Sequence, residues 1–111
     1  MRGKNQIQTS TELQLWEGGS IVDEWWYVYF IQEPIGGRVK IGVSLNPKKR
    51  LHDIQISSPE KLTLLGTVKL SHEFAAYRLE RSLHSKFKSQ LSYGEWFHPS
   101  DNLLKIAGGA S

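Results

Sequence analysis

The clearest hydrophobic pattern in the chain lies between residues 26 and 43, where it predicts two β-strands. Residues 26–32 are dense in aromatic and β-branched side chains, which favour strands. In residues 38–43 every second position is valine or isoleucine, as on a strand with one buried face. The segment between them contains Pro34 and the Gly36-Gly37 pair, which predict a hairpin loop.

Two amphipathic helices and a third strand are predicted after the hairpin. Asn46 suits an N-cap and Pro47 suits the first helical position, so a helix is expected over residues 47–56. Residues 61–70 predict the third strand, with a bend at Gly66. A long helix, capped by Ser71, is expected over residues 72–90, where apolar residues recur three or four positions apart. Its buried stripe is predicted to comprise Ala75, Ala76, Leu79, Leu83 and Phe87.

The rest of the chain completes one small domain. Residues 93–97 predict a turn and a short apolar segment, and residues 102–107 a last short helix. The expected fold is a small α/β (α+β) domain with a three-stranded, mostly antiparallel sheet flanked by helices, in the order β-β-α-β-α-α. We expect residues 25–107 to form this single domain. Residues 1–24 are expected to be a partly flexible arm and residues 108–111 a tail.

The composition is that of an ordinary globular domain with a weak excess of positive charge. The 111 residues suffice for one core, and the net charge of +3 only weakly favours a polyanionic partner. The absence of cysteine excludes disulfides and thiolate zinc sites. The sequence has neither a signal-peptide core nor a run of about 20 apolar residues. We therefore expect a cytoplasmic protein without a membrane partner.

Three residues of the hairpin and the first helix predict a phosphate site. Tyr29 and Lys40 place a phenol and a cation on neighbouring strands, and Arg50 adds a guanidinium from the first helical turn. Nearby cations favour the phenolate, so Tyr29 is a candidate base or water-orienting group, with Tyr27 as its rival on the same face. The structural alternative is an ordinary strand aromatic at Tyr29 and a protective edge-strand charge at Lys40.

Lys48 and Lys49 precede Arg50 at the predicted start of the first helix, and all three are candidate nucleic-acid-binding residues. Cations there oppose the helix dipole, so they are not a local stability device. A phosphate at that helix N-terminus would satisfy both the dipole and the cations. For the two lysines a solvated basic face is the preferred interpretation, and for Arg50 a functional role.

Glu80 and His84 lie four residues apart on the edge of the long helix's apolar stripe. A carboxylate in such a position is costly unless it is paired or binds a cation, and one carboxylate with waters suffices for Mg²⁺. His84 could orient Glu80, bind phosphate or assist proton transfer. From the pattern alone, a simple pair between Glu80 and His84 on an exposed edge is favoured.

These residues carry a resemblance to the GIY-YIG nuclease superfamily, over about residues 26–97. Tyr27-Val28-Tyr29 stands where the GIY triplet lies, and Lys40-Ile41-Gly42 stands for YIG. Tyr27 thus replaces the first glycine and Lys40 the second tyrosine. The pattern is similar to a small, phage-associated branch in which lysine is usual at that place.

The resemblance implies a metal-dependent DNA endonuclease. In this hypothesis Glu80 holds one Mg²⁺ (or Mn²⁺), and His84 is a second-tier site residue. Tyr29, helped by Lys40, positions or deprotonates the attacking water, and Arg50 neutralises the scissile phosphate. The identity of the base stays open among Tyr29, Tyr27 and Lys40.

A second hypothesis is a nucleic-acid-binding or interaction module that keeps the fold without cutting. The expected partner is DNA, with RNA left open; a general RNA binder ranks last because most aromatics occupy strand or core positions. A partner domain or a homodimer is an option, because a small domain has little surface for specific recognition. The nuclease hypothesis differs in requiring Tyr29, Lys40, Arg50 and Glu80 to converge on one cleft.

Overall fold

The computed structural model describes residues 24–109. Its elements, in chain order, are β1 (Trp26–Gln32), β2 (Val39–Ser44), α1 (Pro47–Ile56), β3 (Thr63–Leu70), α2 (Glu73–Lys86), a 3₁₀ turn (Lys88–Gln90), β4 (Leu91–Tyr93), β5 (Trp96–Phe97) and α3 (Asp101–Gly109). The predicted N-terminal arm lies outside the described residues except for Glu24, and so does the end of the predicted tail.

The sheet has five strands, in the order β3-β1-β2-β5-β4, and every neighbouring pair is antiparallel. The prediction of a three-stranded sheet was therefore wrong. It missed β4 and β5 because strands of three and two residues are too short to display an alternating pattern. Both strands depend on a tertiary contact, since β5 pairs with β2 through Val39–Phe97 and Lys40–Trp96. Gly94, with φ of 60°, supplies the left-handed residue in the turn between them.

The first hairpin and the helix that follows it agree closely with the prediction. β1 has the expected bounds, and α1 begins at Pro47 behind the N-cap Asn46, whose side-chain oxygen accepts a hydrogen bond from Lys49 N at 3.1 Å. The hairpin loop is closed by Glu33, which binds the guanidinium of Arg38 through both carboxylate oxygens at 2.9 and 2.8 Å.

The later elements have different bounds from those expected. α2 ends at Lys86 instead of residue 90, because the chain tightens into the 3₁₀ turn that leads into β4. His72, and not Ser71, is its N-cap, and its side chain makes no capping bond. α3 runs from Asp101 to Gly109 and is longer than predicted. β3 starts at Thr63, and its pairing with β1 shifts register beside Gly66, where the bend was expected.

The helices cover both faces of the sheet. Because successive side chains of a strand point to opposite faces, β1 directs Val28 and Phe30 into the main core, which α2 and α3 cover. Tyr29 and Ile31 point to the other face, where Leu51 and the rest of the α1 apolar stripe pack. None of the helices in residues 24–109 is long and apolar enough to cross a membrane.

Candidate functional site

Tyr29 lies at the centre of the sheet, with Gly42 of β2 and Thr67 of β3 as its cross-strand partners. Its side chain is only 1% exposed. The phenol ring extends over Gly42, where any β-carbon would clash with the ring and the hydroxyl. Glycine at this position therefore makes room for the Tyr29 hydroxyl.

Burial raises the pKa of Tyr29 to about 12, above its ordinary value of 10.0. The positive charge and hydrogen bonding of Arg50 act in the opposite direction, whereas the carboxylates of Glu95 and Glu80 raise the pKa further. This is the reverse of the direction expected from the neighbouring cations, because loss of solvation outweighs them. At neutral pH Tyr29 is a protonated phenol that can donate a hydrogen bond.

Lys40 extends from β2 to Glu95 in the turn between β4 and β5. The distance between Lys40 Nζ and Glu95 Oε1 is 3.0 Å, and the lysine side chain is 17% exposed. The ammonium also lies 5.6 Å from the centre of the Trp96 ring, the cross-strand neighbour of Lys40. Lys40 is thus held by an ion pair that sequence analysis did not anticipate.

A cluster of possible metal ligands lies between α2 and that turn. Glu80, His84 and Glu95 are all partly buried, and one ligand atom from each lies within 4.8 Å of the other two. Burial is the largest cause of a raised pKa at Glu80, followed by the negative charge of Glu95. His84 and Lys40 act on the pKa of Glu80 in the opposite direction.

The imidazole of His84 has a defined orientation. Its Nε2 lies 3.0 Å from the carbonyl oxygen of Ile41, and because a carbonyl only accepts, Nε2 must carry the proton of this bond. The ring also packs edge-on against Phe97, with 4.8 Å between ring centres. In the neutral ring, Nδ1 is then the nitrogen with a lone pair to offer.

Arg50 is exposed on the first turn of α1 and lines a cavity of about 410 Å³. This cavity extends from α1 to Tyr77 of α2, across the end of β2 at Val43 and Ser44. On the side of β2 that faces β5, the pairing covers Val39 and Lys40 and ends with the hydrogen bond of Ile41 to Glu95. Among the described residues, no strand pairs with the rest of β2 on this side. The cavity is open to solvent and could admit part of a nucleic-acid strand beside Arg50.

The two lysines before Arg50 and the rival tyrosine lie apart from the acidic cluster. Lys49 is exposed and forms an i, i+4 pair with Asp53 at 3.0 Å. Tyr27 and Lys48 line a separate cavity of about 310 Å³ at the start of α1. Tyr27 is not a member of the cluster of Glu80, His84 and Glu95.

The family model of the T5orf172 domain matches residues 26–107, which is most of the chain. The chain belongs to the T5orf172 domain family. This is a phage-associated family related to nuclease folds, which agrees with the general part of the resemblance inferred from the sequence. No curated protein and no solved structure matches the chain.

The T5orf172 domain brings together most of the residues predicted from its sequence. Tyr29 and Glu80 are close enough for charge on one to affect the other, and Arg50 acts on Tyr29 from α1. Lys40 and His84 act on Glu80. Tyr27 and Lys48 lie outside this group, whereas Lys49 lines the same cavity as Arg50.

Glu95 is the residue that sequence analysis missed. Its carboxylate binds Lys40 and lies within 4.8 Å of ligand atoms of Glu80 and His84, although it comes from a turn that was predicted only as a connection. The available signal was a carboxylate between Gly94 and Trp96, a place where a glycine turn can present a side chain at the edge of a sheet. Nothing in its spacing from Glu80 indicated the contact.

The donor set of this cluster fits a divalent cation. Two carboxylates offer the hard oxygen ligands that Mg²⁺ and Mn²⁺ prefer, and an imidazole nitrogen suits Mn²⁺ better than Mg²⁺. All three residues keep some solvent exposure, so water could complete the coordination of a cation held there. Glu80, which the sequence resemblance implies as metal ligand, is a member of this set.

Proposed function

We propose that this T5orf172 domain is a GIY-YIG-type endonuclease that hydrolyses DNA phosphodiester bonds with a divalent metal ion. The observation that carries the proposal is that the buried phenol of Tyr29 lies within electrostatic reach of both Arg50 and Glu80, while Arg50 also lines an open cavity at the end of β2. Phosphodiester hydrolysis needs these three functions, namely phosphate binding, orientation of water and a cation site. Family membership supports a nuclease or DNA-interacting role.

Arg50 binds the scissile phosphate in this proposal. Its side chain is exposed, lies at the start of a helix and borders a cavity large enough to receive a phosphate. A guanidinium can donate two parallel hydrogen bonds to phosphate oxygens and stabilise the charge that grows on them as water attacks. The N-terminal end of α1 favours an anion at the same place.

Tyr29 orients water or a phosphate oxygen and does not act as a base at neutral pH. A phenol with a pKa of about 12 stays protonated there, so its hydroxyl serves as a hydrogen-bond donor. Close packing over Gly42 fixes the hydroxyl in one place. The proton that leaves the attacking water therefore needs another acceptor, either a second water or a substrate oxygen.

Glu80 would hold the metal ion, with Mg²⁺ or Mn²⁺ as the cation. When bound, the ion would supply a Lewis acid that neutralises the charge of the phosphate and of the leaving oxygen. The carboxylate of Glu80 is suited to this task because its burial and its acidic neighbour make an unpaired negative charge unfavourable. His84 lies one helical turn further along α2, with a ring nitrogen within 4.8 Å of the Glu80 carboxylate.

One observation favours the second candidate, a nucleic-acid-binding module without catalysis. The ammonium of Lys40 already neutralises Glu95, so the acidic cluster is partly compensated without a metal ion. In such a module Arg50 would still bind phosphate, and the carboxylates would serve only the structure. DNA or RNA binding that falls with salt, without cleavage, is the expected behaviour of that alternative.

The test is cleavage of supercoiled plasmid by the wild-type protein and by Glu80→Ala, with Mg²⁺, Mn²⁺ or EDTA. The proposal predicts nicking that requires the metal and disappears in the variant. Glu60→Ala, which removes an exposed carboxylate between α1 and β3, is the matched control and should cleave like wild type. Equal cleavage by Glu80→Ala would contradict the proposed site, and salt-sensitive binding without cleavage by any variant would favour the binding module.

A further inference from the structure

Two carboxylates from different structural elements lie close together in this domain. Glu80 lies in the middle of α2, and Glu95 lies in the turn between β4 and β5. The backbone of Glu95 is fixed to β2, since its carbonyl accepts a hydrogen bond from Ile41 N at 3.1 Å. One oxygen of each carboxyl group lies within 4.8 Å of the other.

Such a pair is unfavourable unless a cation or a shared proton lies beside it. Both side chains are partly buried, so water only partly screens their mutual repulsion. Lys40 compensates one of them, because its ammonium binds Glu95 Oε1 at 3.0 Å. That contact leaves Glu95 Oε2 and both oxygens of Glu80 without a basic side chain in a salt bridge among the described residues.

His84 is the third side chain that could bind a cation here, and its ring has a fixed orientation. Its Nε2–H donates to the Ile41 carbonyl, the arrangement that commonly orients a metal-binding histidine. Coordination through Nδ1 would leave that hydrogen bond intact. The same residue, Ile41, thus holds Glu95 through its N–H and His84 through its carbonyl.

We propose that Glu95 is a second carboxylate ligand of the metal ion, in addition to Glu80, with His84 as a nitrogen ligand. This inference rests on the proposed function in one respect, namely that the protein binds a metal ion. It gives that metal ion three protein ligands instead of Glu80 alone. A set of two oxygens and one nitrogen favours Mn²⁺ over Mg²⁺. Lys40 then has two roles. It neutralises the negative charge of Glu95 before the metal binds, and it competes with the metal for that carboxylate.

The test is Mn²⁺ binding to the isolated protein, measured by loss of the electron paramagnetic resonance signal of free Mn²⁺. Glu80→Gln and Glu95→Gln remove one ligand charge each with little change of shape, and each should weaken binding by about 10-fold or more. Glu60→Gln is the matched control at an exposed site and should bind like wild type. Lys40→Met removes the competing ammonium and should bind Mn²⁺ at least as tightly as wild type.

Two outcomes would overturn the inference. If Glu95→Gln binds Mn²⁺ like wild type while Glu80→Gln does not, the site has one carboxylate ligand and Glu95 serves only Lys40. If Lys40→Met weakens Mn²⁺ binding as much as Glu95→Gln, the Lys40–Glu95 ion pair stabilises the structure of the site and Glu95 is not a ligand. Circular dichroism of each variant would identify a loss of folding.

Binding and cleavage are measured separately, so the two proposals can fail separately. Mn²⁺ binding that needs Glu95, in a protein that does not cut DNA, would support the metal site and contradict the nuclease. Cleavage that needs Glu80 but not Glu95 would support the nuclease and contradict the three-ligand site.

Discussion

The two hairpins of the sheet supply different parts of the candidate site by different means. The first, β1–β2, has long strands in the centre of the sheet and buries Tyr29 above Gly42. The second, β4–β5, has strands of three and two residues at the edge of the sheet and presents Glu95 in its turn. Side chains of the first hairpin reach the second, since Arg38 Nη1 donates to Ser92 Oγ at 3.2 Å and Lys40 binds Glu95.

The two hairpins therefore meet different requirements of the candidate site. A buried strand fixes the position of a group, but it also removes solvent, which raises the pKa of Tyr29 and keeps it protonated. A turn at the edge of a sheet leaves a carboxylate partly accessible, as a metal ligand must be. The first hairpin is therefore suited to positioning and the second to charge.

The largest effect on activity is expected from Arg50, on the helix that follows the first hairpin. Arg50→Ala should lower the rate of plasmid nicking by about 10²–10³-fold, because the growing charge on the phosphate loses its guanidinium. Arg81→Ala removes an exposed arginine beside Glu80 and should have a far smaller effect. A similar loss in both variants would mean that general electrostatic attraction, and not a specific contact, explains the role of Arg50.

The glycines of the two hairpins should differ in their contributions to stability. Gly42→Ala would force a β-carbon into the Tyr29 ring in the centre of the sheet, with an expected cost near 3 kcal/mol, the upper end of the range of about 1–3 kcal/mol for overpacking. Gly94→Ala meets no atom but must keep a positive φ, which costs about 1–2 kcal/mol. Urea unfolding followed by circular dichroism would measure both. A larger loss of stability in Gly94→Ala than in Gly42→Ala would contradict this expected order.

Burial of Tyr29 predicts a loss of stability at high pH. Because its pKa rises from 10.0 unfolded to about 12 folded, the folded state favours the neutral phenol. This contribution is complete below pH 10 and is lost as the pH rises towards 12, by about 2–3 kcal/mol. Tyr29→Phe lacks the ionisable group, so its unfolding free energy should fall less over that range. If the unfolding free energies of the two proteins fell equally between pH 10 and pH 12, the burial of the Tyr29 hydroxyl would be contradicted.

A smaller difference is expected between the acidic residues of the two hairpins. Glu33 binds Arg38 through both oxygens, and hydrogen bonds from Arg38 lower its pKa, whereas Glu95 binds Lys40 through one oxygen. At pH 7, Glu33→Gln should therefore lower the urea midpoint more than Glu95→Gln. Because the folded-state pKa of Glu33 is depressed, its contribution should vanish as the pH falls below 4.5. A greater loss of stability in Glu95→Gln than in Glu33→Gln would show that the second hairpin depends on the ion pair between Glu95 and Lys40.

The same contrast explains how far sequence analysis could reach. The first hairpin and α1 were predicted correctly, because their alternation, turn residues and N-cap are local signals. Residues 91–97 carry a turn signal at Gly94, but their strands are too short to alternate, so both strands and the proximity of Glu95 to Glu80 were missed. The pKa of Tyr29 was expected to fall and instead rises, because a sequence displays neighbouring charges but not how much solvent is lost.

The most direct test of the account is a crystal structure of the protein soaked in Mn²⁺, with the ion located by its anomalous scattering. The account predicts one strong peak within coordination distance of carboxylate oxygens of both Glu80 and Glu95, where α2 meets the second hairpin. A peak beside Glu80 alone would contradict the contribution of the second hairpin. The absence of any peak at Glu80 would contradict the metal site itself.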